Sequence, residues 1–215
     1  MYAKSIEIIK LKNIFYMLTI GVELNHVIRN INKQIIKYYA KEFSPETDID
    51  EIDDKEDVFK TFAKFNSNYE KNNFIFIDYP YEIFGCASTM EKKLAVKITN
   101  WLTDISNIED EDIRIVFYSL NEGELTIQST YFFLSKIGTR VRKVIFPKNI
   151  DEVWDECDVV ITARDEFFEK EIPEGKKVVL INRPFNQKVK DKSFLNYDNL
   201  SEIITDEDFF NKLKG

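Results

Sequence analysis

The sequence predicts an α/β fold in which a parallel sheet lies between two layers of helices, a three-layer sandwich. Two patterns carry this expectation. Short apolar runs alternate with longer segments whose apolar residues recur at helical spacing, and strands alternating with helices imply a parallel sheet covered on both faces. Ile113–Tyr118 carries no charge except Arg114, as a strand buried on both faces would. With 215 residues, 44% of them apolar, and with 18 Phe and 10 Tyr, the chain can build one sizeable core. We therefore read 1–215 as a single domain.

The elements follow in order. Residues 5–20 are apolar and read as one or two strands. Leu24, Ile28, Ile31, Ile35 and Tyr38 then recur at helical spacing and predict an amphipathic helix over 22–42. The stretch SPETDIDEIDDKED (44–57) is acidic, and its Ser44 and Pro45 are helix start or break signals. Val58, Phe59, Phe62 and Phe65 predict a short helix, Phe74–Ile77 is a short apolar run, and DYPYEIFG (78–85) leads back to the core. Leu94, Ile98, Trp101 and Ile105 mark the next helix, and Glu109–Asp112 a polar turn. Ile113–Tyr118 is a strand that Ser119 ends, and 124–137 a helix that Gly138 closes. Arg140–Phe146, Asp158–Thr162 and Lys177–Asn182 are three more strands.

Charge and composition narrow the function classes. The net charge is −8 and spread along the chain, which argues against nucleic-acid binding through a basic surface. The clusters Arg140/Arg142/Lys143 and Lys188/Lys190/Lys192 read as solvated loop charge or as a local anion contact. Cys86 and Cys157 are far apart and lack metal-ligand spacing, so both are expected reduced and buried in a cytosolic setting. No apolar run is long enough to span a membrane, and Lys10 and Lys12 interrupt the first one, as a signal peptide would not. His26 is the only histidine. It falls off the apolar face of the predicted helix, so it is expected to be exposed, and it supports no histidine-based metal site. No Gly-rich phosphate loop or nucleophile triad has a positional signature.

Two segments carry a family resemblance. IFPKNIDEVWDECDVVITARDEFFEKEIPEGKKVVLINRPFN (145–186) and IFYMLTIGVELNHVIRNINKQIIKYYAKEF (14–43) resemble the haloacid-dehalogenase-like (HAD-like) fold, within it the 5′(3′)-deoxyribonucleotidase branch. The resemblance covers roughly 13–186, and it implies a small helical cap inserted into the single domain at 44–85. It implies an Asp-x-Asp signature at the end of the first strand, a hydroxyl after the next, a lysine, and paired aspartates that help to hold magnesium. Ser119 and Lys148 match the hydroxyl and the lysine. Met17 and Thr19 fall at the nucleophile and acid/base positions, and Thr162 and Ala163 at the paired aspartates. Neither Met nor Thr can do that work. Glu23 is the first carboxylate after this strand and is assigned to the start of the helix. Met17, Thr19 and Thr162 are expected to converge at one end of the sheet, where ligands bind in such folds.

These readings imply a phosphatase fold without its chemistry: no catalytic residue, no metal and no cofactor. Ser119 and Lys148 would then be an ordinary strand-end residue and a solvated lysine. The chain is expected to be a structural or interaction protein whose partners are other proteins, copies of itself and neighbouring assembly components, with no membrane and no direct nucleic-acid contact. The aromatics of the cap region, Phe59 to Phe84, would supply contact surface. The chain resembles degenerate HAD-like proteins of tailed phages, crAss-like phages among them. That resemblance implies a virion component such as a head–tail connector (neck) ring protein, or a cytoplasmic location if the chain is not phage-encoded. The alternative is a nucleotidase-like phosphatase, or a protein that binds phosphate or nucleotide without metal through Ser119 and Lys148.

Overall fold

The computed structural model describes residues 17–43, 65, 67–106, 113–120, 122–139 and 142–214. The expected strands at 5–16, the helix at 58–64 and the turn at 109–112 lie outside the described residues, as does the acidic stretch 44–57.

The centre is a parallel sheet. Its strands are β1 (Leu18–Glu23), β4 (Ile113–Tyr118), β5 (Val144–Ile145), β6 (Val159–Thr162), β7 (Lys177–Ile181) and β8 (Leu195–Tyr197). They lie in the order β5-β4-β1-β6-β7-β8, and every neighbouring pair is parallel. A separate antiparallel pair joins β2 (Arg29–Asn30) to β3 (Ser88–Thr89). The helices are α1 (Ile31–Phe43), α2 (Asn68–Asn73), α3 (Leu94–Ser106), α4 (Glu124–Ile137), α5 (Ile150–Glu156), α6 (Leu200–Thr205) and α7 (Phe209–Lys214).

The strands alternate with a period of two, and both faces are covered. Ile20, Val22, Phe117, Ile161 and Val179 join Leu94, Ile98, Trp101, Leu200 and Phe209 in the largest cluster, so α3, α6 and α7 cover one face. Tyr118, Val160 and Val178 join Val153, Trp154 and Phe167, so α5 and the 3₁₀ turn Asp165–Phe168 cover the other. This is the expected α/β arrangement of a parallel sheet flanked by helices. Gly21 permits close packing in the middle of β1, because a Cβ there would stand 2.7 Å from Cys157 Sγ.

A third cluster lies apart. Ile31, Ile35, Ile36 and Tyr39 of α1 pack against Phe74, Ile75, Ile83 and Phe84. The latter belong to two π-helical turns, Phe74–Asp78 and Tyr81–Gly85. The β2–β3 pair ties the chain entering α1 to the chain leaving the second π turn.

The helix expected over 22–42 starts nine residues later, at Ile31. Residues 24–30 instead make a tight turn in which His26 has φ 65° and Arg29 N–H donates to Leu24 O at 2.7 Å. Leu24 and Ile28 are fully buried, but in this turn. Their spacing mimicked a helix because burial, not helical phase, selects an apolar residue at each. The strands expected at 140–146 and 177–182 are shorter, Val144–Ile145 and Lys177–Ile181. Both cysteines are free thiols; Cys157 is buried as expected and Cys86 only half-buried.

Candidate functional site at the strand ends

Successive strands leave β1 in both directions, toward β4 and toward β6, so the chain's topological switch lies at the carboxyl end of β1. Three neighbouring strands end there, at Glu23, Tyr118 and Thr162. Register places Glu23 opposite Tyr118, and Val22 opposite Ile161.

The polar side chains at this point form two buried groups. In the first, the Thr162 hydroxyl donates to Glu23 Oε2 at 2.6 Å, and Arg164 Nε donates to Glu23 Oε1 at 2.5 Å. Glu23 is fully enclosed and the Arg164 side chain is 21% exposed. A second carboxylate, Glu166, accepts from the same guanidinium at 3.2 Å. Burial works most strongly against the charge on Arg164, but Glu23 and Glu166 outweigh it and hold its pKa above the ordinary arginine value.

The second group centres on Arg29, whose side chain, like that of Glu122, is 0% exposed. Its guanidinium donates to Asn25 Oδ1, to Thr130 Oγ1 and to Glu122 Oε1, each at 2.6 Å. Glu122 also accepts from the hydroxyls of Ser119 at 2.5 Å and Thr130 at 2.7 Å. The Asn25 amide donates to Ser119 Oγ at 3.2 Å. The rings of Phe84 and Phe133 lie 5.0 and 5.4 Å from the guanidinium carbon, favourable cation–π distances. Burial pulls the pKa of Arg29 down, and Glu122 opposes it.

His26 stands between these groups, half-buried with its ring edge-on to Phe185 at 5.5 Å. Arg183 donates to its carbonyl at 2.8 and 3.0 Å. Burial, then Arg164, Arg183 and Arg29, push the imidazole down to about 3, so it is neutral at physiological pH. The expectation of an exposed histidine is thereby corrected, because the residue sits in the strand-end turn and not on a helix.

The sequence-derived positions divide between the two ends of the sheet. Ser119, Thr162 and Ala163 lie at the carboxyl ends of β4 and β6, and Ala163 N–H points to Glu23 Oε2 at 3.4 Å. Met17 and Thr19 lie at the other end. Met17 precedes β1 and is 47% exposed, and Thr19 N–H donates to Asp158 Oδ2 at 2.9 Å at the start of β6. The expected convergence of Met17, Thr19 and Thr162 fails because the strand continues to Glu23, so its end carries Glu23-x-Asn25. Lys148 is exposed after β5, and its backbone N–H donates to Glu152 Oε2 at 2.9 Å. It joins neither buried group.

Sequence reasoning gave no site role to Glu23, which it assigned to a helix start, or to Asn25, Arg29, Glu122 and Arg164. One signal could have found the first pair. Period-two alternation through Ile20, Val22 and Leu24 extends the strand past residue 20 and sets Glu23 at its end.

The magnesium that the resemblance implies does not fit these residues. Glu23 is the carboxylate at the end of β1, both its oxygens are engaged, and a guanidinium already neutralises it. Among the described residues, no three His, Cys, Asp or Glu side chains are grouped to hold a metal ion. Among them too, no helix is long and apolar enough to cross a membrane. No known protein-family profile matches the chain. No curated protein sequence matches it either.

Proposed function

We propose that this chain is a HAD-like fold without catalytic function that acts through its surface, as a structural or interaction protein within a larger assembly. One observation carries this reading: the buried carboxylates at the switch point, Glu23 and Glu122, are each paired with an arginine of the same chain. A carboxylate held by a guanidinium and a hydroxyl is a poor nucleophile, and Asn25, two residues on, has no proton to exchange as a general acid or base. The HAD-like part of the reading rests on strand order and on the positions of Ser119 and Thr162–Ala163 around the β1 end. In this reading Glu23-x-Asn25, not Met17-x-Thr19, takes the place of the Asp-x-Asp signature. The resemblance to degenerate phage proteins supplies the setting, a virion component such as a neck ring.

A carboxylate at the β1 end favours one competing reading, a phosphatase that uses Glu23. Hydrolysis of p-nitrophenyl phosphate and of deoxynucleoside monophosphates, with and without magnesium, separates the two. The expected result is no turnover above that of the Glu23→Gln variant. Magnesium-dependent turnover abolished by Glu23→Gln would overturn the proposal.

A further inference from the structure

Two of the apolar clusters meet along one short segment. Phe84, in the second π turn, belongs to the outlying cluster with α1. Ala87, a little further on, belongs to the main cluster over the sheet. Every carbonyl on this passage, from Phe84 to Ala87, accepts a hydrogen bond from a side chain. Arg29 Nη1 donates to Phe84 O at 3.3 Å, and Gln34 Nε2 to Cys86 O at 3.1 Å. Lys136 Nζ donates to Gly85 O at 3.0 Å and to Ala87 O at 2.8 Å. The donors come from β2, α1 and α4.

Lys136 and Arg29 tie this passage to the body of the protein. α4 buries Phe133 and Leu134 in the main cluster, so Lys136 fastens the passage to a fixed helix. Gly85 lets the backbone come close to that helix: a Cβ there would stand 3.3 Å from Ser129 O. Arg29 is shared more widely. The guanidinium that holds Phe84 O is also paired with Glu122 and bonded to Asn25 and Thr130. Its carbon lies 5.0 Å from the ring of Phe84, in the outlying cluster, and 5.4 Å from that of Phe133, in the main one.

We propose that Arg29, Gln34 and Lys136 form a clasp that makes the outlying cluster and the buried strand-end group open as one unit. Lifting α1 and the π turns off the sheet would strip the carbonyls of Phe84 to Ala87 and the Lys136 ammonium of their partners together. It would also take a ring and an acceptor from Arg29 while Glu122 stays buried beside it. Buried polar groups that lose partners without reaching water are costly. A peripheral segment often opens well below the cost of global unfolding, and the clasp removes that cheap route. The coupling is reciprocal: whatever holds the outlying cluster in place stabilises the strand-end group, and a change in that group is felt at the cluster. The inference goes beyond the proposed function and does not depend on it.

Native-state hydrogen exchange on the whole chain, at denaturant concentrations below the unfolding transition, tests this. In wild type the slowest amides of α1 and of the second π turn, Cys86 N–H among them, are expected to exchange through the same opening as those of β1 and β4. Their rates should agree within about threefold and share one denaturant dependence. Lys136→Met keeps the stem and removes the donor, and Gly85→Ala pushes the turn off α4. Each is expected to split the unit: exchange in α1 and the π turn should accelerate at least about tenfold, while β1 and β4 change by less than about threefold. If neither variant folds, wild-type exchange decides alone. A separate, cheaper opening of α1 and the π turn in wild type would overturn the inference. So would a folded Lys136→Met chain in which all amides accelerate equally, or none does. Magnesium-dependent turnover, which overturns the proposed function, would leave this inference standing.

Discussion

At the carboxyl end of the sheet Glu23, Arg29, Ser119 and Thr162 are all fully buried, while at the amino end Arg114 is exposed and Met17 nearly half so. The ends of parallel strands are chemically alike, so backbone does not explain the difference. Side-chain pairing does. At the carboxyl end two arginines and two carboxylates neutralise each other away from water. At the amino end Arg114 donates to Thr19 Oγ1 at 3.2 Å, and Asp158 pairs with a partly exposed Lys176 at 3.1 Å. A buried ion pair adds little net stability over a well-packed apolar one, yet losing one partner is costly because the other charge is left stranded. The carboxyl end is therefore brittle, and the amino end tolerant of substitution.

Breaking the brittle end should give the largest effect. Arg29→Ala strands the Glu122 carboxylate and is expected to destabilise the fold by about 3–5 kcal/mol. The matched change at the other end, Arg114→Ala, removes an exposed side chain and should cost within about 0.5 kcal/mol. Denaturant unfolding of both variants measures the contrast. Equal costs would mean that the buried group is not under the strain of desolvation described here. Arg29→Met with Glu122→Leu should recover much of the loss, since it removes both charges together.

Between the two ends, Gly21→Ala tests how tightly the middle of the sheet is packed. The added methyl must displace Cys157 Sγ from 2.7 Å, and overpacking of this kind costs about 1–3 kcal/mol. Cys157→Ala in the same chain should remove most of that cost. A Gly21→Ala chain as stable as wild type would show that β1 and α5 can move apart.

The pattern of strands and helices was legible because buried parallel strands leave charge-poor runs, as Ile113–Tyr118 does. Ser119, Thr162 and Ala163 were legible as strand-end residues for the same reason. The site's charged members were not. Arg29 and Glu122 are polar residues in turns, and nothing local distinguishes them from solvated charge; only the β4–α4 connection folding over the β1 turn brings them together. Glu23 was visible but misassigned, because Leu24 and Ile28 continue the spacing of α1 into a turn. Starting the helix nine residues early, about two and a half turns, put Glu23 on it and left Met17 and Thr19 as the expected strand end.

A pH titration sharpens the comparison next. His26 belongs to the brittle end, and its folded-state value is about 3 against an ordinary 6.5. Above pH 6.5 the imidazole is neutral in both states and contributes no slope. Between 6.5 and 3 only the unfolded chain binds the proton, so stability falls as pH falls, by at most about 1.4 kcal/mol per pH unit from this group. His26→Asn keeps a residue that accepts positive φ and should flatten that part of the curve. An unchanged slope would mean that His26 is protonated in the folded protein.

The smallest expected effect concerns the thiols, one on each side of the same contrast between closed and open surroundings. Burial, then Glu156 and Asp158, push Cys157 up to about 12, so almost none of it is thiolate at neutral pH. Cys86 is half-buried beside Tyr81 and Lys136 Nζ, which donates to the carbonyls of Gly85 and Ala87 on either side of it. Thiolate fraction and access set the rate of alkylation. Iodoacetamide should therefore label Cys86 well before Cys157 in the native chain, and both at similar rates in denaturant. The Gly21→Ala variant turns this into a local probe: if its methyl forces α5 outward, Cys157 labelling should accelerate while Cys86 labelling stays constant. Acceleration of both together would point to global unfolding, and the sheet would then have no tightly packed middle separate from its ends.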